Sequence, residues 1–159
     1  MPYPPPRARF NPNINPAFNA RINPKVNALL NPMFNPWMNP QRNPKISPKY
    51  NRSWDPLANL SINPTANTSL DLKQTSQYSG LCRWTPDLEL TGYVVNTPHR
   101  KVFLVFDAEQ NWIAFAVDNQ RQGFNLFDLA GNWTGYLLRN AMGGLNEFNL
   151  EAEWVAFIM

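Results

Sequence analysis

The chain carries one histidine, His99, and one cysteine, Cys82. A cysteine nucleophile needs a base beside it, and His99 is the only imidazole that could serve. It stands in "NTPHRK" (96–101), which reads as a polar surface connection, while Cys82 falls at an ordinary strand position. One His and one Cys do not make a metal site without several carboxylates nearby. Asp107 and Asp128 could be paired carboxylates, but each recurs where a turn is expected, and turn formation accounts for both. Gly131 and Gly143-Gly144 read as turn glycines, because no glycine-rich stretch leads into a helix that would cradle phosphate. The expectation is therefore a non-enzymatic protein with no catalytic residue, no metal and no cofactor.

Two residue sets could bind rather than react. Trp112, Trp133 and Trp154, with Asn111 and Asn132 beside the first two, could stack and hydrogen-bond a carbohydrate or other small ligand. The competing reading is that repeated indoles at one strand position are core. Arg7, Arg9, Arg21, Lys25, Arg42, Lys45, Lys49, Arg52 and Lys73 face only Asp55 and Asp71 in residues 1–74, a net +7. That could draw nucleic acid or another anionic partner, although solvated corners are the favoured reading of the charges. Residues 75–159 hold five basic groups against nine acids, a net −4. They offer a partner of opposite sign in the same chain or in a neighbour.

The elements that would position these groups are written as repeats. From Asn11 onward every fourth residue through position 71 is Asn, or its short oxygen-bearing substitutes Ser47, Asp55 and Asp71. Proline follows ten times, and the residue before the next Asn is apolar, from Ile14 to Leu70, with Arg42 as the exception. Proline fixes φ and suits the second position of a turn. Asn, Asp and Ser accept an N–H two residues on. A string of linked β-turns with an Asn stripe and an apolar stripe is expected, forming a solenoid-like array over 11–72. The missing prolines at Ala20 and Ala28 hint at eight residues per coil, but the later prolines are read as not continuing that pattern. Four or eight therefore stays open. Self-association is expected through Phe18, Phe34, Trp37, Met38, Tyr50 and Trp54.

A longer repeat starts at Gly80, Val102, Gly123 and Gly144. Each copy has an aromatic at its fifth place (Trp84, Phe106, Phe127, Phe148) and a turn residue next. The thirteenth place is small (Gly92, Ala114, Gly135, Ala156) and the fourteenth aromatic (Tyr93, Phe115, Tyr136, Phe157). Two β-rich runs around a short polar turn read as a hairpin. Four hairpins can bury together what one cannot. The small residue would permit close strand approach, with the Trp two places earlier on the same face. The C-terminal "EWVAFIM" would complete a ring.

The unit "FDLAGNWTGYLL" and its recurrence through residues 80–159 resemble the four-fold beta-flower domain of bacterial proteins. The resemblance is best at 127–138 and 105–117 and weakest at 83–95, where Leu90 replaces Trp. It implies a small symmetric β-domain and no particular activity.

The sequence thus predicts an all-β chain: a Pro-rich arm (1–10), the tetrapeptide turn array (11–72), a linker (73–79) and a pseudo-four-fold domain of four β-hairpins (80–159). The expected role is structural: a homo-oligomer or filament built or scaffolded through the array, with the β-domain as cap or anchor. Carbohydrate binding and nucleic-acid binding are the alternatives. No run of apolar residues is long enough to span a membrane. The start "MPYPPPRARF" lacks the apolar core of a secretory signal. A single cysteine fits a reducing compartment, so the cytoplasm is expected, with export lacking a cleaved signal as the other route.

Overall fold

The computed structural model describes residues 9–71, 74–75, 80–140 and 142–159. The expected arm, with Arg7, and the linker, with Lys73, fall largely outside them.

Each tetrapeptide closes a turn. The apolar residue returns its N–H to the Asn carbonyl three residues back, as in Leu30 to Asn27 at 3.0 Å and Trp54 to Asn51 at 2.9 Å. The Asn side chain accepts from the N–H two residues on, as Asn15 does from Ala17 and Asn31 from Met33. Six turns tighten into single 3-10 turns, among them Pro36–Met38 and Pro44–Ile46.

Burial alternates from one turn to the next, so the structural period is eight. Ile14, Leu30, Met38, Ile46 and Ile62 are buried, and Ile22, Trp54 and Leu70 in the same series are half-buried. The intervening Phe18, Val26, Phe34 and Tyr50 are 65–71 % exposed. The prolines keep the same frame, contrary to the expectation above. Pro16, Pro24, Pro32, Pro40, Pro48, Pro56 and Pro64 follow one another every eight residues without a gap, and all seven are buried. The positions that lack proline, such as Ala20, Ala28, Arg52 and Leu60, all lie in the other, exposed frame.

Rows are tied together by the Asn amides of that exposed frame. Asn27, Asn35, Asn43, Asn51, Asn59 and Asn67 each donate Nδ2–H to a carbonyl six or seven residues earlier, at 2.6–2.8 Å. Asn27, Asn43, Asn59 and Asn67 thus accept within their own turn and donate to the row before, while Asn35 and Asn51 donate a second time, to the Asn31 and Ser47 carbonyls. An amide can do both at once, whereas a carboxylate can only accept.

Residues 81–158 form eight antiparallel strands closed into a barrel in chain order. They are β1 (Leu81–Trp84), β2 (Leu90–Asn96), β3 (Val102–Asp107), β4 (Trp112–Asp118), β5 (Gly123–Asp128), β6 (Trp133–Arg139), β7 (Leu145–Asn149) and β8 (Trp154–Ile158). Closure runs through Arg83↔Ile158 and Trp84↔Phe157, and Cys82 and Met159 exchange backbone hydrogen bonds just beyond. The turns after β1, β3, β5 and β7 each put one residue at positive φ: Leu88, Gln110, Gly131 and Ala152, at 63–86°. Only the third is the glycine this conformation favours. In three of the turns the Asp or Asn at the strand end compensates by accepting two backbone N–H bonds, as Asp107 does from Glu109 and Asn111.

The register shifts at the same place in all four of these strand pairs, between the fourth and fifth residues of each repeat. This bulge corrects one expectation. An extra residue between Trp112 and Ala114 breaks the strand's two-residue alternation. Trp112 pairs with Phe106 while Ala114 pairs with Val105, so indole and small residue lie on opposite faces. The small residues are needed for close approach: a Cβ on Gly92 would lie 2.0 Å from the Phe106 carbonyl oxygen.

The two faces of the sheet have different partners. Val94, Val105, Ala116, Leu126, Leu137 and Ile158 cluster with one another and with no array residue, yet are 0–5 % exposed. Such a set, drawn from β2 to β8, is the barrel's interior. The opposite face carries the aromatics, stacked across strands as Tyr93–Phe106, Phe115–Phe127 and Tyr136–Phe148. The array covers this outer wall. Arg9 sits over Trp154 of β8, and Ile22 packs near Tyr136 and Phe148. Met38, Ile46 and Ile62 join the cluster of Tyr93, Leu104, Phe115 and Phe127. The array therefore runs around the barrel against strand order, from β8 toward β2.

Candidate functional site

Among the described residues no group of three or more His, Cys, Asp or Glu is placed to hold a metal ion. Cys82 pairs with Tyr93 in the sheet, and burial raises its thiol pKa, the opposite of what a nucleophile needs. His99 lies in the β2–β3 connection with its ring edge-on to Trp54, centroids 4.4 Å apart, and its Nδ1 accepts the Lys101 N–H. Burial first, and then Lys101, lower its pKa. Cys82 and His99 each have neighbours that explain them structurally.

Asp107 and Asp128 are turn-closing residues. Each takes backbone N–H bonds from the residue four ahead, and its second oxygen accepts the amide of Asn111 or Asn132 at 3.0 Å. Burial would raise the Asp128 pKa, but the hydrogen bonds from Asn132, Ala130 and Gly131 outweigh it and hold the carboxyl below its usual value.

The same bonds use one of the two amide N–H donors of Asn111 and of Asn132. The indole N–H groups of Trp112, Trp133 and Trp154 donate to the carbonyls of Ala114, Gly135 and Ala156 at 2.8–2.9 Å. All three rings are half-buried, and Trp112 and Trp133 pack beside array residues. Asn132 Oδ1 accepts from Gln41 Nε2 at 3.0 Å. A cleft of about 310 Å³ remains there, lined by Met33, Gln41, Asn132 and Trp133.

Of the residues expected to mediate self-association, Phe18, Phe34, Trp37 and Tyr50 are exposed, at 68, 71, 42 and 65 %. Met38 and Trp54 are corrected. Met38 is fully buried and Trp54 half-buried, because their frame faces the chain's own barrel. Phe10, 79 % exposed, falls in the same eight-residue row as Phe18, Val26, Phe34 and Tyr50. Sequence reading passed over Phe10 and Val26, although spacing by eight finds them. It also missed Asn125, which donates from the outer wall to the Leu30 carbonyl at 3.1 Å and to Met38 Sδ at 3.7 Å. Nothing in its strand announces that anchor.

Charge is sorted by topology. Because every strand pairs with the next in antiparallel order, all four hairpin turns meet at one end of the barrel and the three connecting loops at the other. Asp87, Glu89, Asp107, Glu109, Asp128, Glu151 and Glu153 lie in or beside the turns, with no Lys or Arg among them. Arg100, Lys101, Arg121 and Arg139 lie at the loop end, with Asp118 as an acid beside them. The array adds the exposed Arg21, Lys25, Arg42, Lys45, Lys49 and Arg52. Inside the barrel Arg83 and Glu147 form a bidentate pair at 2.7 and 3.0 Å.

Comparison with protein-family models, curated proteins and solved structures returns no match to the chain. Among the described residues no helix is long and apolar enough to cross a membrane.

Proposed function

We propose that the chain is a self-associating structural protein. In this reading the array is a solenoid of eight-residue coils, clasped around a four-fold, beta-flower-like ring of hairpins that serves as its anchor. The observation that carries it is the unbroken run Phe10, Phe18, Val26 and Phe34 at spacing eight, resumed at Tyr50 beyond the exposed Arg42, with 65–79 % of each apolar residue exposed. Isolated exposed apolar residues are ordinary, but a contiguous row marks a surface that binds.

The occupant that charge favours is the acidic turn end of a second copy. Two arrays face to face would oppose like charges. An array against seven carboxylates pairs opposite ones, and apolar contacts at the centre would supply the binding. Such a contact joins two different surfaces, so it propagates head to tail into rings or filaments. Light scattering across concentration tests this. The expected result is growth in mass with concentration, lost in K45E/K49E and in E109K/E151K and regained when those two variants are mixed. A monomer at every concentration, or no recovery on mixing, overturns it. A second reading, small-ligand or carbohydrate binding, rests on the Trp133 cleft. Saccharide titration monitored by tryptophan fluorescence checks it: a saturable change in the parent that Trp133→Phe abolishes is expected, and no change in the parent overturns it.

A further inference from the structure

A different cleft lies at the loop end of the barrel, where the array crosses β4, β5 and β6. It is about 300 Å³, with Ile22, Leu30 and Leu138 lining it. Arg21 from the array, Arg121 from the β4–β5 connection and Arg139 at the end of β6 also border it. Asn13, Asn27 and Gln122 complete the wall, and no carboxylate is among them. The ion pair of Arg83 with Glu147 is elsewhere, inside the barrel.

We propose that this cleft binds a small phosphomonoester carrying an apolar or aromatic group. Three arginines from three separate chain segments, all exposed, border one hollow whose lining holds no carboxylate. Like charges repel, so the arrangement is relieved by a bound oxyanion, and guanidinium is the side chain whose planar donors match phosphate oxygens. The Ile22, Leu30 and Leu138 lining is of no use to a bare ion and suits an apolar substituent. A volume of about 300 Å³ is at the low end for ligand pockets, which selects a small molecule over a polymer backbone. The site also needs both halves of the chain, since Arg21 reaches it only when the array is seated on the barrel. The proposal does not depend on self-association.

Calorimetric titration of the full chain with phenyl phosphate, inorganic phosphate and a single-stranded oligonucleotide, at one ionic strength, tests it. Saturable binding of phenyl phosphate is expected, about tenfold tighter than inorganic phosphate because the ring is buried. Arg121→Gln and Arg139→Gln should each weaken it about tenfold to a hundredfold, the usual effect of losing a hydrogen bond to a charged group. Arg100→Gln, at the same end but outside the cleft, should leave it unchanged. No saturable binding, equal loss in Arg100→Gln, or an oligonucleotide binding more tightly than phenyl phosphate would each overturn the proposal.

Discussion

Replacing Asn59 by Asp tests the double use of the array's amides. Asn59 Oδ1 accepts from the Ser61 N–H at 3.2 Å and the Ser61 hydroxyl at 2.6 Å, while Nδ2 donates to the Ser53 carbonyl at 2.7 Å. Aspartate keeps both acceptances and loses the donation, and it sets a carboxylate oxygen against a carbonyl. One hydrogen bond is worth about 1 kcal/mol net. Because the site is exposed, water partly satisfies the freed carbonyl, so about 1 kcal/mol is the whole expected loss. Asn23 is buried and donates to the Pro16 carbonyl at 3.2 Å. There Asn23→Asp buries an unpaired carboxylate and should cost about 3 kcal/mol or more. Urea unfolding followed by tryptophan fluorescence reads both. With a slope of about 2 kcal/mol/M, Asn59→Asp should lower the midpoint by about 0.5 M and Asn23→Asp by about three times as much. The array is basic, so a new carboxylate gains some general attraction. Working at about 0.5 M salt screens that out. If Asn59→Asp unfolds with the parent while Asn59→Ala is destabilised, the turn matters and the donation between rows does not, and the account of the array is wrong.

Three further outcomes follow from the barrel. Arg83→Met leaves the part-buried Glu147 without its partner and should cost about 1–3 kcal/mol, since the side chains keep 21 and 14 % of their surface exposed, whereas the double change Arg83→Met/Glu147→Leu should be close to neutral. A double-mutant cycle by chemical unfolding measures the difference. The Tyr136 hydroxyl is buried without a hydrogen-bond partner among the described residues, and burial pushes its pKa up. Phe115 and Phe157 fill the same place in other repeats, so Tyr136→Phe should gain about 1 kcal/mol, seen as a raised melting temperature. The lowered pKa of His99 means that the unfolded chain takes up its proton at higher pH than the folded one. Stability should be full above the ordinary value of 6.5 and fall as pH drops through it toward the folded value, then level off. Melting temperatures between pH 8 and 5 should show that slope, and His99→Asn should remove it.

Sequence alone determined the local structure. Asn, Pro and an apolar residue at fixed spacing dictate turns, and the recurrence of Phe106, Phe127 and Phe148 with their turn residues dictates strands and hairpin turns, because both patterns act within a few bonds. The eight-residue period was also present, in the unbroken series Pro16 to Pro64 and in an exposed frame that is Asn at every position from 11 to 67. The substitutes Ser47, Asp55 and Asp71 all fall in the other frame. In that frame the amide donation to an earlier row is made only by some members, Asn15, Asn23 and Asn63. What tertiary structure decided is which side of each pattern faces what. Met38 and Phe34 satisfy the same four-residue rule, yet one is buried on the barrel and the other points to water. A bulged residue sends Trp112 and Ala114 to opposite faces. Arg21, Arg121 and Arg139 lie up to 118 residues apart in sequence. Only the seating of the array on the closed sheet brings them to one cleft, since that contact depends on the barrel's curvature and register, and neither is encoded within a single repeat.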